Sequence, residues 1–415
     1  MKQKTKFKDT EIGMIPVEWG KKNLGEEIEL CYGKGLPKKN RIPGPYPVFG
    51  SNGIVGSHNE FLVEGPSIII GRKGSVGEVK FSKNNFWPID TTYYLKVKKK
   101  GSIDFWYYFL LTLKLNRMNS HSAVPGLNRD MVYELKKKIP DEKEQKAIAK
   151  ILSDLDSKIE LLQKQNETLE AIGQAIFKHW FVDFEFPDEE GKHYKSSGGE
   201  MVFYEELGEE IPKGWGVKNL GEFLNVIKGC SYKSEDLKES DKALITLKSI
   251  NRDGGFNQKG YKEYVGDYKE EQIVKDGDIV VAQTDLTQAA EVIGTPAIVN
   301  SLNRYNELIA SLDLQILRIK EKLNKGFAYF LLKTAMFHNH ALSYTNGTTV
   351  LHLNKNAVPD FKFTLPNENI LGKFGKIAEQ ILEKGDKNEK EVYILSQIRD
   401  SLLPKLMSGE IRVGG

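Results

Sequence analysis

Two stretches of this chain, 196 positions apart, have nearly the same sequence. Residues 15–26 contain Ile-Pro, then Trp-Gly and then KNLGE, and residues 211–222 contain the same strings in the same order. Nearer the end of each half, YFLL at 108–111 returns at 329–332, and Leu-Asn at 127–128 returns at 353–354. So many matches in one order indicate a tandem duplication, which predicts two copies of one domain.

Each copy is followed by a stretch with the periodicity of a long helix. Residues 141–186 begin after Pro140, with Asp141 placed as the N-cap, and have no glycine before Gly173. Asn166 takes one position of a seam whose apolar members step by four and three: Ile148, Leu152, Leu155, Ile159, Leu162 and Leu169. A heptad seam of this kind predicts one long helix that needs a partner.

The C-terminal stretch, residues 367–415, is the predicted partner. Its seam is formed by Phe374, Ile377, Ile381, Val392, Leu395, Leu402 and Leu406. Gly385 and Asn388 weaken the middle of that seam, which leaves the length of tight pairing open. Each stretch taken singly also fits an ordinary amphipathic core helix. The duplication favours two long antiparallel spacer helices, coiled-coil-like, that separate two globular domains.

Both globular regions mix strand and helix patterns, which predicts the α+β class. In the first, strands are predicted at 67–70, 76–81 and 92–97, a helix at 103–115 and a loop at 119–128. In the second, strands are predicted at 278–282, 295–299 and 312–319, a helix at 325–337 and a loop at 343–354. The predicted organisation, a pseudo-two-fold internal repeat, is a first domain at 1–140, a helix at 141–186, a linker at 187–200, a second domain at 201–366 and a helix at 367–415.

Charge is distributed unevenly between the two domains. Residues 1–140 hold 24 Lys and Arg against 13 Asp and Glu, a net charge of +11, whereas residues 201–366 hold 20 against 22, or −2. The first domain is therefore suited to meet a polyanion, although a basic excess is also common on ordinary soluble surfaces. Cys31 and Cys230 have no spacing typical of a zinc site or a disulfide framework, and no apolar run reaches membrane-spanning length. A cytoplasmic protein without a membrane segment is expected.

The motifs of common catalytic sites are absent from the sequence. The glycine-rich turn at 71–77 lacks the lysine and hydroxyl pair of a phosphate loop, and no HExxH string occurs. His338 and His340 are interpreted as surface or polar-contact residues rather than metal ligands. Glu78 and Lys80, with Glu64 upstream, fit a strand of alternating charge better than a nuclease site. The sequence predicts a chain without catalytic or metal-binding residues and without a bound cofactor.

Polar and basic side chains are concentrated instead in the loops of both domains. Arginine can bind guanine through two hydrogen bonds, asparagine can bind adenine, and lysine and serine can hold phosphates. The candidate DNA-binding residues are Arg72, Lys73, Ser75, Arg117, Asn119, Asn128 and Arg129 in the first domain, and Lys248, Asn251, Arg252, Gln283, Thr284, Asn346, Thr348, Thr349, Asn354 and Lys355 in the second.

Several strings resemble the specificity subunits of type I restriction-modification enzymes. They are PGLN at 125–128, EQKAI at 144–148, IFKHWFVDF at 176–184, LLPKLMSGEI at 402–411 and the repeated Trp-Gly and KNLGE strings described above. The resemblance covers nearly the whole chain. It implies two target recognition domains, each reading one half of a split, asymmetric sequence in double-stranded DNA, with the helices setting the gap between the halves.

The resemblance also implies partners that perform the chemistry. Modification (methyltransferase) subunits would bring S-adenosylmethionine, and restriction (translocase and nuclease) subunits would bring ATP and Mg²⁺. Two other functions remain open from the residues alone. A duplicated coiled-coil interaction scaffold would not bind DNA. A free-standing enzyme, for instance a nuclease, would cleave DNA with metal by itself. The basic first domain disfavours the scaffold, and the missing motifs disfavour the nuclease.

Overall fold

The computed structural model describes residues 7–8, 15–118, 126–206, 208–252, 254–287, 289–302, 304–347 and 350–413. The chain divides into two compact units. Unit 1 is Met1–Leu161 with Ile394–Gly415, and unit 2 is Leu162–Tyr393. Because the division falls inside the two long helices, each unit contains one globular domain and a segment of both helices. No helix in the described ranges is long and apolar enough to cross a membrane.

Unit 1 is built on a four-stranded antiparallel sheet with its apolar residues packed against a helix. The strands lie in the order Ile28–Tyr32, Thr92–Val97, Ser67–Gly71 and Val79–Ser82. Smaller sheets contain Gly53–His58, Tyr46–Gly50 and Trp87–Pro88, then Gly20–Asn23 with Lys136–Ile139, and Phe7–Lys8 with Ile15–Pro16. Among the described residues of this unit, the α-helices outside the long pair are Leu24–Glu27, Ile103–Leu111 and Arg129–Tyr133, and Lys38–Asn40 and Leu115–Arg117 are short 3-10 helices.

The predicted strands at 67–70 and 92–97 are confirmed, but the strand predicted from 76 is wrong at its start. That strand spans Val79–Ser82, because Gly74 and Gly77 have φ of 75° and 76° and form a turn ahead of it. The helix predicted at 103–115 ends at Leu111. Lys114 follows with a left-handed φ of 49°, which an α-helix cannot accommodate.

Unit 2 has a main sheet with the same strand order and a second sheet beside it. The main sheet is Leu224–Lys228, Leu314–Ile319, Ile279–Ala282 and Pro296–Ile298, all antiparallel. The second sheet is Lys262–Glu263, Lys242–Ile245, Glu307–Ala310 and Ile273–Val274. Smaller sheets contain Thr284–Asp285, Leu351–Leu353 and Thr345–Asn346, then Met201–Tyr204 with Glu209–Pro212, and Gly216–Asn219 with Lys362–Leu365.

The helix predicted at 325–337 is two helices, Lys325–Leu332 and Ala335–Ser343. The break follows from Thr334, whose side chain accepts a hydrogen bond from the Phe337 N–H and so caps the second helix. The region predicted as a loop at 343–354 contains the two short strands Thr345–Asn346 and Leu351–Leu353. The predicted strands at 278–282, 295–299 and 312–319 are each present but shorter, at Ile279–Ala282, Pro296–Ile298 and Leu314–Ile319.

Both predicted long helices are present, at Glu142–Phe181 and Glu368–Ser408. Asp141 Oδ1 accepts a hydrogen bond from the Glu144 N–H at 2.9 Å, which confirms Asp141 as the N-cap. Gly385 and Pro404 both lie inside the second helix, so the weak point predicted at Gly385 does not end it. The helix tolerates Gly385 because the seam residue before it, Ile381, is packed in the core of unit 2.

Within each unit the two helix segments run antiparallel. In unit 2, Phe177 packs on Phe374 with ring centroids 5.5 Å apart, and Asn166 hydrogen-bonds Asn388 at 2.8 Å. Residue numbers therefore rise along one segment as they fall along the other. In unit 1, Arg399 Nη1 forms an ion pair with Asp156 Oδ1 at 2.8 Å.

The segment predicted as a linker, residues 187–200, contains turns that pack on the start of the second domain. The ring of Phe186 stacks on Tyr194 at 4.5 Å and on Trp215 at 4.8 Å. Tyr194 also donates its hydroxyl hydrogen to the Glu200 carbonyl at 2.9 Å. These contacts attach the segment to unit 2.

The two seam asparagines form one hydrogen-bonded pair. Asn388 is fully buried and donates from Nδ2 to Asn166 Oδ1 at 2.8 Å, while Asn166 Nδ2 donates to the Gly385 carbonyl at 3.1 Å. A polar pair at the centre of an apolar seam penalises any other register, because a shift would bury both amides without partners.

Replacing Asn166 by alanine leaves the buried Asn388 amide without its acceptor. We expect the free energy of unfolding of unit 2 to fall by about 1–3 kcal/mol. Glu167→Ala, at an exposed position on the same helix, is the matched control and should change it by less than about 0.5 kcal/mol. Urea unfolding of the full chain measures both. Equal stability of the two variants would show that the asparagine pair contributes nothing.

Candidate nucleic-acid interface

The main sheets of the two units share one pattern of backbone hydrogen bonds. The Gly33 N–H donates to the Thr92 carbonyl at 3.1 Å, and the Gly229 N–H donates to the Leu314 carbonyl at 3.1 Å. Both glycines are required by a close approach. A Cβ at Gly33 would lie 2.2 Å from a carbonyl oxygen, and one at Gly229 would lie 2.0 Å from another. The first sheet strand therefore ends in the same way in both domains.

A second position of equivalence directly follows the strands Ser67–Gly71 and Ile279–Ala282. The Arg72 N–H donates to the Thr91 carbonyl at 2.9 Å, and the Arg72 carbonyl accepts from Leu127 at 3.0 Å. In unit 2 the Gln283 N–H donates to the Asp313 carbonyl at 2.7 Å, and the Gln283 carbonyl accepts from Leu353 at 2.8 Å. Arg72 and Gln283 thus occupy the same position of the fold.

In unit 1 the glycine-rich turn at 71–77 lies against the segment that begins at Gly126. Lys73 and Gly126 form a β-bridge, and Tyr93 donates its hydroxyl hydrogen to the Leu127 carbonyl at 3.1 Å. The loop predicted at 119–128 is described from Gly126 onward, and that part lies against the turn. A prediction from the sequence, that the turn and this loop lie near the same DNA half-site, stays a prediction. Asn119 lies outside the described residues.

Two arginines share one exposed tyrosine at this junction. The Arg72 guanidinium lies 5.2 Å from the ring centroid of Tyr32, and the Arg129 guanidinium lies 5.1 Å from it. Arg72 also donates from Nη2 and Nε to the Asp90 carbonyl, at 2.7 and 3.1 Å. Tyr32 is 51% exposed. Cation–π contacts and the carbonyl hold the Arg72 fork in one orientation, with donors left for a ligand.

The buried residue Tyr93 packs against Tyr32 on the inner side of this group. Its ring lies 5.1 Å from that of Tyr32, and it is almost fully buried. Burial, together with its hydrogen bond to Tyr32, raises the pKa of the Tyr93 hydroxyl to about 12. We call Tyr32, Arg72, Tyr93 and Arg129 the arginine–tyrosine cluster. The two tyrosines were absent from the residues predicted from sequence, because a tyrosine in a strand more often indicates core packing.

The other predicted residues of unit 1 have different surroundings. Lys73 and Arg117 are exposed, and Ser75 is half-buried in the turn. Asn128 is exposed, but its Oδ1 accepts the Asp130 N–H at 2.8 Å and caps the helix Arg129–Tyr133. Its carbonyl oxygen is used locally, which leaves the Nδ2 group for other contacts.

In unit 2 the predicted residues are less uniform in exposure. Lys248, Arg252, Asn346, Asn354 and Lys355 are exposed, whereas Asn251 and Gln283 are half-buried. Arg252 forms an ion pair with Glu291 at 3.1 Å, and Asn251 Oδ1 accepts from Asn257 Nδ2 at 3.2 Å. Asn354 caps the turn that follows it through the Asn356 N–H, at 2.9 Å. Thr348 and Thr349 lie outside the described residues.

Thr284 corrects one expectation from sequence. Its side chain is only 5% exposed, and its hydroxyl donates to Asp313 Oδ1 at 3.1 Å. The strand Thr284–Asp285 pairs with Leu351–Leu353 and carries this hydroxyl inward. Thr284 is therefore a structural residue, and a direct contact with DNA is not expected from it.

The residues considered for catalysis have ordinary surroundings. Within the described residues there is no group of three or more His, Cys, Asp and Glu side chains placed to hold a metal ion. His340 Nε2 lies 2.8 Å from the Ala357 carbonyl, and its ring packs on Tyr344 at 4.6 Å. Glu78 lies before the strand Val79–Ser82 rather than in it, 3.7 Å from Lys80 Nζ.

Comparisons with known proteins agree with the repeat. A family model described as the type I restriction modification DNA specificity domain matches residues 16–171 and 212–399. The MjaIX type I restriction enzyme specificity subunit of Methanocaldococcus jannaschii is 28% identical over 449 residues, covering 99% of this chain and 97% of that protein. The HindI specificity subunit of Haemophilus influenzae is 25% identical over 339 residues, covering 69% and 71%.

A solved structure has the same fold. The S subunit of a type I restriction-modification system from M. genitalium matches with a TM-score of 0.58 at 21% identity, covering 94% of this chain and 96% of that one. The two matches to the family model coincide with the two copies of the repeat and together span most of the chain. The chain belongs to the type I restriction-modification DNA specificity family, and its role is DNA sequence recognition.

Proposed function

We propose that this chain reads a split, asymmetric DNA target, with one half-site bound by each globular domain. The observation that carries the proposal is the shared backbone framework of the two main sheets, which presents different side chains at equivalent positions. Two similar domains are suited to two half-sites, and their different side chains make those half-sites different in sequence.

The arginine–tyrosine cluster is the candidate contact of the first domain. Its domain has a net charge of +11, from 24 Lys and Arg against 13 Asp and Glu in residues 1–140, which supplies affinity for phosphates. The ordered guanidinium of Arg72 matches the O6 and N7 acceptors of guanine in the major groove. Lys73, Asn128 and Arg129 lie beside this cluster or within it, and together with the exposed Arg117 they are further candidate phosphate or base contacts.

In the second domain, burial removes Thr284 from the residues that are candidates for contact with DNA. Gln283 is placed where Arg72 lies in the first domain, and Asn354 and Lys355 take the places of Asn128 and Arg129. Lys248, Asn251, Arg252 and Asn346 complete the proposed set from the described residues. Since this domain has a balanced charge, its share of the affinity rests more on base contacts than on phosphates.

We further propose that the chain is not an enzyme and holds no cofactor itself. In this proposal, modification subunits with S-adenosylmethionine methylate the DNA that the chain selects, and restriction subunits with ATP and Mg²⁺ cleave it, in the cytoplasm. Family membership and the absence of catalytic strings from the sequence support this division of labour. A protein-only scaffold is disfavoured because the family model that matches is a DNA specificity domain.

An assay of the purified full chain tests directly whether recognition and catalysis are divided between this chain and its partner subunits. With Mg²⁺, ATP and S-adenosylmethionine added, the chain alone should bind duplex DNA more weakly as salt rises, without cleaving or methylating it. Addition of a modification subunit should start methyl transfer. Cleavage or methylation by the chain alone would contradict the proposal, as would binding that is independent of salt.

Arg72→Ala should weaken binding to the target by about 1–3 kcal/mol, roughly fivefold to 150-fold, because it removes a bidentate base contact. Arg304→Ala is a matched control, since Arg304 is an exposed arginine 5.2 Å from the Tyr305 ring but lies outside the proposed interface. Fluorescence anisotropy with target and unrelated duplexes measures both. An equal loss on every sequence would make Arg72 a phosphate contact, and no loss would exclude it from the interface.

A further inference from the structure

The same position of the fold is occupied by arginine in one domain and glutamine in the other. The backbone partners of Arg72 are Thr91 and Leu127, and those of Gln283 are Asp313 and Leu353. The residues that follow are equivalent as well, since Lys73 bridges Gly126 and Thr284 pairs with His352. The equivalence therefore rests on several separate backbone contacts.

The neighbours of this position are equivalent too. In unit 1, Tyr93 is the register partner of both Tyr32 and Ile70. In unit 2, Gln315 is the register partner of both Lys228 and Val281. Tyr32, Tyr93 and Arg72 of the first domain therefore correspond to Lys228, Gln315 and Gln283 of the second, where Arg72 and Gln283 each lie two residues beyond the register partner. The first domain thus has two tyrosines and an arginine where the second has a lysine and two glutamines.

Among the described residues, the side-chain oxygens of Gln283 and Gln315 have no hydrogen-bond partner. Gln283 Oε1 and Gln315 Oε1 are both shielded from solvent and make no hydrogen bond to any described residue. A carbonyl oxygen in that state is costly and rare in folded proteins. Gln315 is only 1% exposed, so it cannot reach a ligand directly. Gln283 is half-buried, and because its covered Oε1 makes no hydrogen bond to a described residue, turning the amide towards a base breaks no hydrogen bond of that oxygen.

Glutamine has the hydrogen-bonding groups that adenine requires. Its Oε1 accepts from the adenine N6 amino group and its Nε2 donates to N7, whereas arginine donates to both O6 and N7 of guanine. We infer that the position held by Arg72 and Gln283 is a base-reading position in both domains, choosing guanine in the first half-site and adenine in the second. This inference rests on the proposed function, and assigns to it one base in each half-site.

Exchange of the two side chains tests the inference. Full-length wild type, Arg72→Gln, Gln283→Arg and the control Arg304→Gln are each used to select bound duplexes from a randomised library. We expect Arg72→Gln to replace guanine by adenine at one position of one half-site, and Gln283→Arg to replace adenine by guanine at one position of the other. Each variant should bind the wild-type duplex roughly tenfold to a hundredfold more weakly. Arg304→Gln should keep the wild-type motif.

The outcomes separate the inference from the proposed function. If wild type selects a split motif and both variants retain every base of it, the inference is wrong and the proposed function stands. The inference is equally wrong if both variants change the same half-site. If wild type selects no motif, the proposed function fails and the inference fails with it. Circular dichroism and thermal melting of each variant confirm folding, and either variant alone decides its own half-site.

Discussion

Phe374→Ala is expected to lower the free energy of unfolding of unit 2 by about 3–5 kcal/mol. Phe374 is 0% exposed and lies at the centre of an aromatic cluster. Its ring centroid is 5.1 Å from that of Phe181, 5.5 Å from Phe177 and 5.9 Å from Phe330. The cluster joins both helix segments of unit 2 to the helix Lys325–Leu332. Removal of the ring leaves a cavity that rigid neighbours cannot fill.

Phe203→Ala provides the matched control in the same unit. Phe203 is 59% exposed on the strand Met201–Tyr204, so its loss should cost less than about 1 kcal/mol. Hydrogen exchange of the full chain in increasing urea reports on residues 162–393 separately from unit 1. Equal protection in the two variants would show that the aromatic cluster does not hold the helices to the domain.

Glu389→Gln is expected to stabilise unit 2 at pH 8 by about 2–3 kcal/mol and to have little effect near pH 4.5. Burial of the carboxyl group is the main reason that the pKa of Glu389 is raised from 4.5 to about 7, and nearby Asp386 adds to it. Glu389 Oε2 accepts a hydrogen bond from Asn300 Nδ2 at 3.0 Å. A glutamine oxygen can accept the same hydrogen bond without a charge.

The sign of the change in stability with pH follows from the number of protons that the folded and unfolded states bind. Between pH 4.5 and about 7 the folded protein retains a proton on Glu389 that the unfolded chain has lost, so stability falls as pH rises through this range. Charged groups also lie near the Glu389 carboxyl. Lys390 forms ion pairs with Asp386 at 2.7 Å and with Asp276 at 3.8 Å, and Asp386 also accepts a hydrogen bond from Asn300 Nδ2. These ion pairs remain in the variant.

Urea unfolding of wild type and Glu389→Gln at pH 5, 6, 7 and 8 measures how the free energy of unfolding depends on pH. The control is Glu383→Gln, whose carboxyl is exposed and 3.8 Å from Lys387, and whose removal should change stability by less than about 0.5 kcal/mol at each pH. Parallel pH profiles for wild type and Glu389→Gln would contradict the assignment of the buried carboxyl.

The sequence predicted the long helices because their periodicity extends over many turns. Over such lengths the apolar seam outweighs a single poor residue, so Gly385 and Pro404 do not end the second helix. Shorter elements were predicted less well. The turn before Val79 and the break at Thr334 each depend on one or two residues, a glycine with positive φ or a capping hydroxyl, and hydrophobic patterns are insensitive to these.

The equivalence of Arg72 and Gln283 could not be read from the repeat. The first strands of the two copies match at an offset of 196, but the loops between later strands differ in length and shift the register. Only the backbone hydrogen bonds restore the correspondence. Tyr32 and Gln315 were missed for a related reason, because a strand residue contributes to a site only through what its neighbouring strands present beside it.

The measurement that tests the central claim most directly is a map of methylated adenines in DNA modified by the full chain together with its modification subunit. The map is made for wild type and for a chain whose residues 212–366 are replaced by those of a relative. We expect wild type to yield a split motif, and the exchanged chain to keep one half of that motif while the other half changes. Methylation at an uninterrupted motif, or a change in both halves at once, would contradict the claim that each domain reads its own half-site.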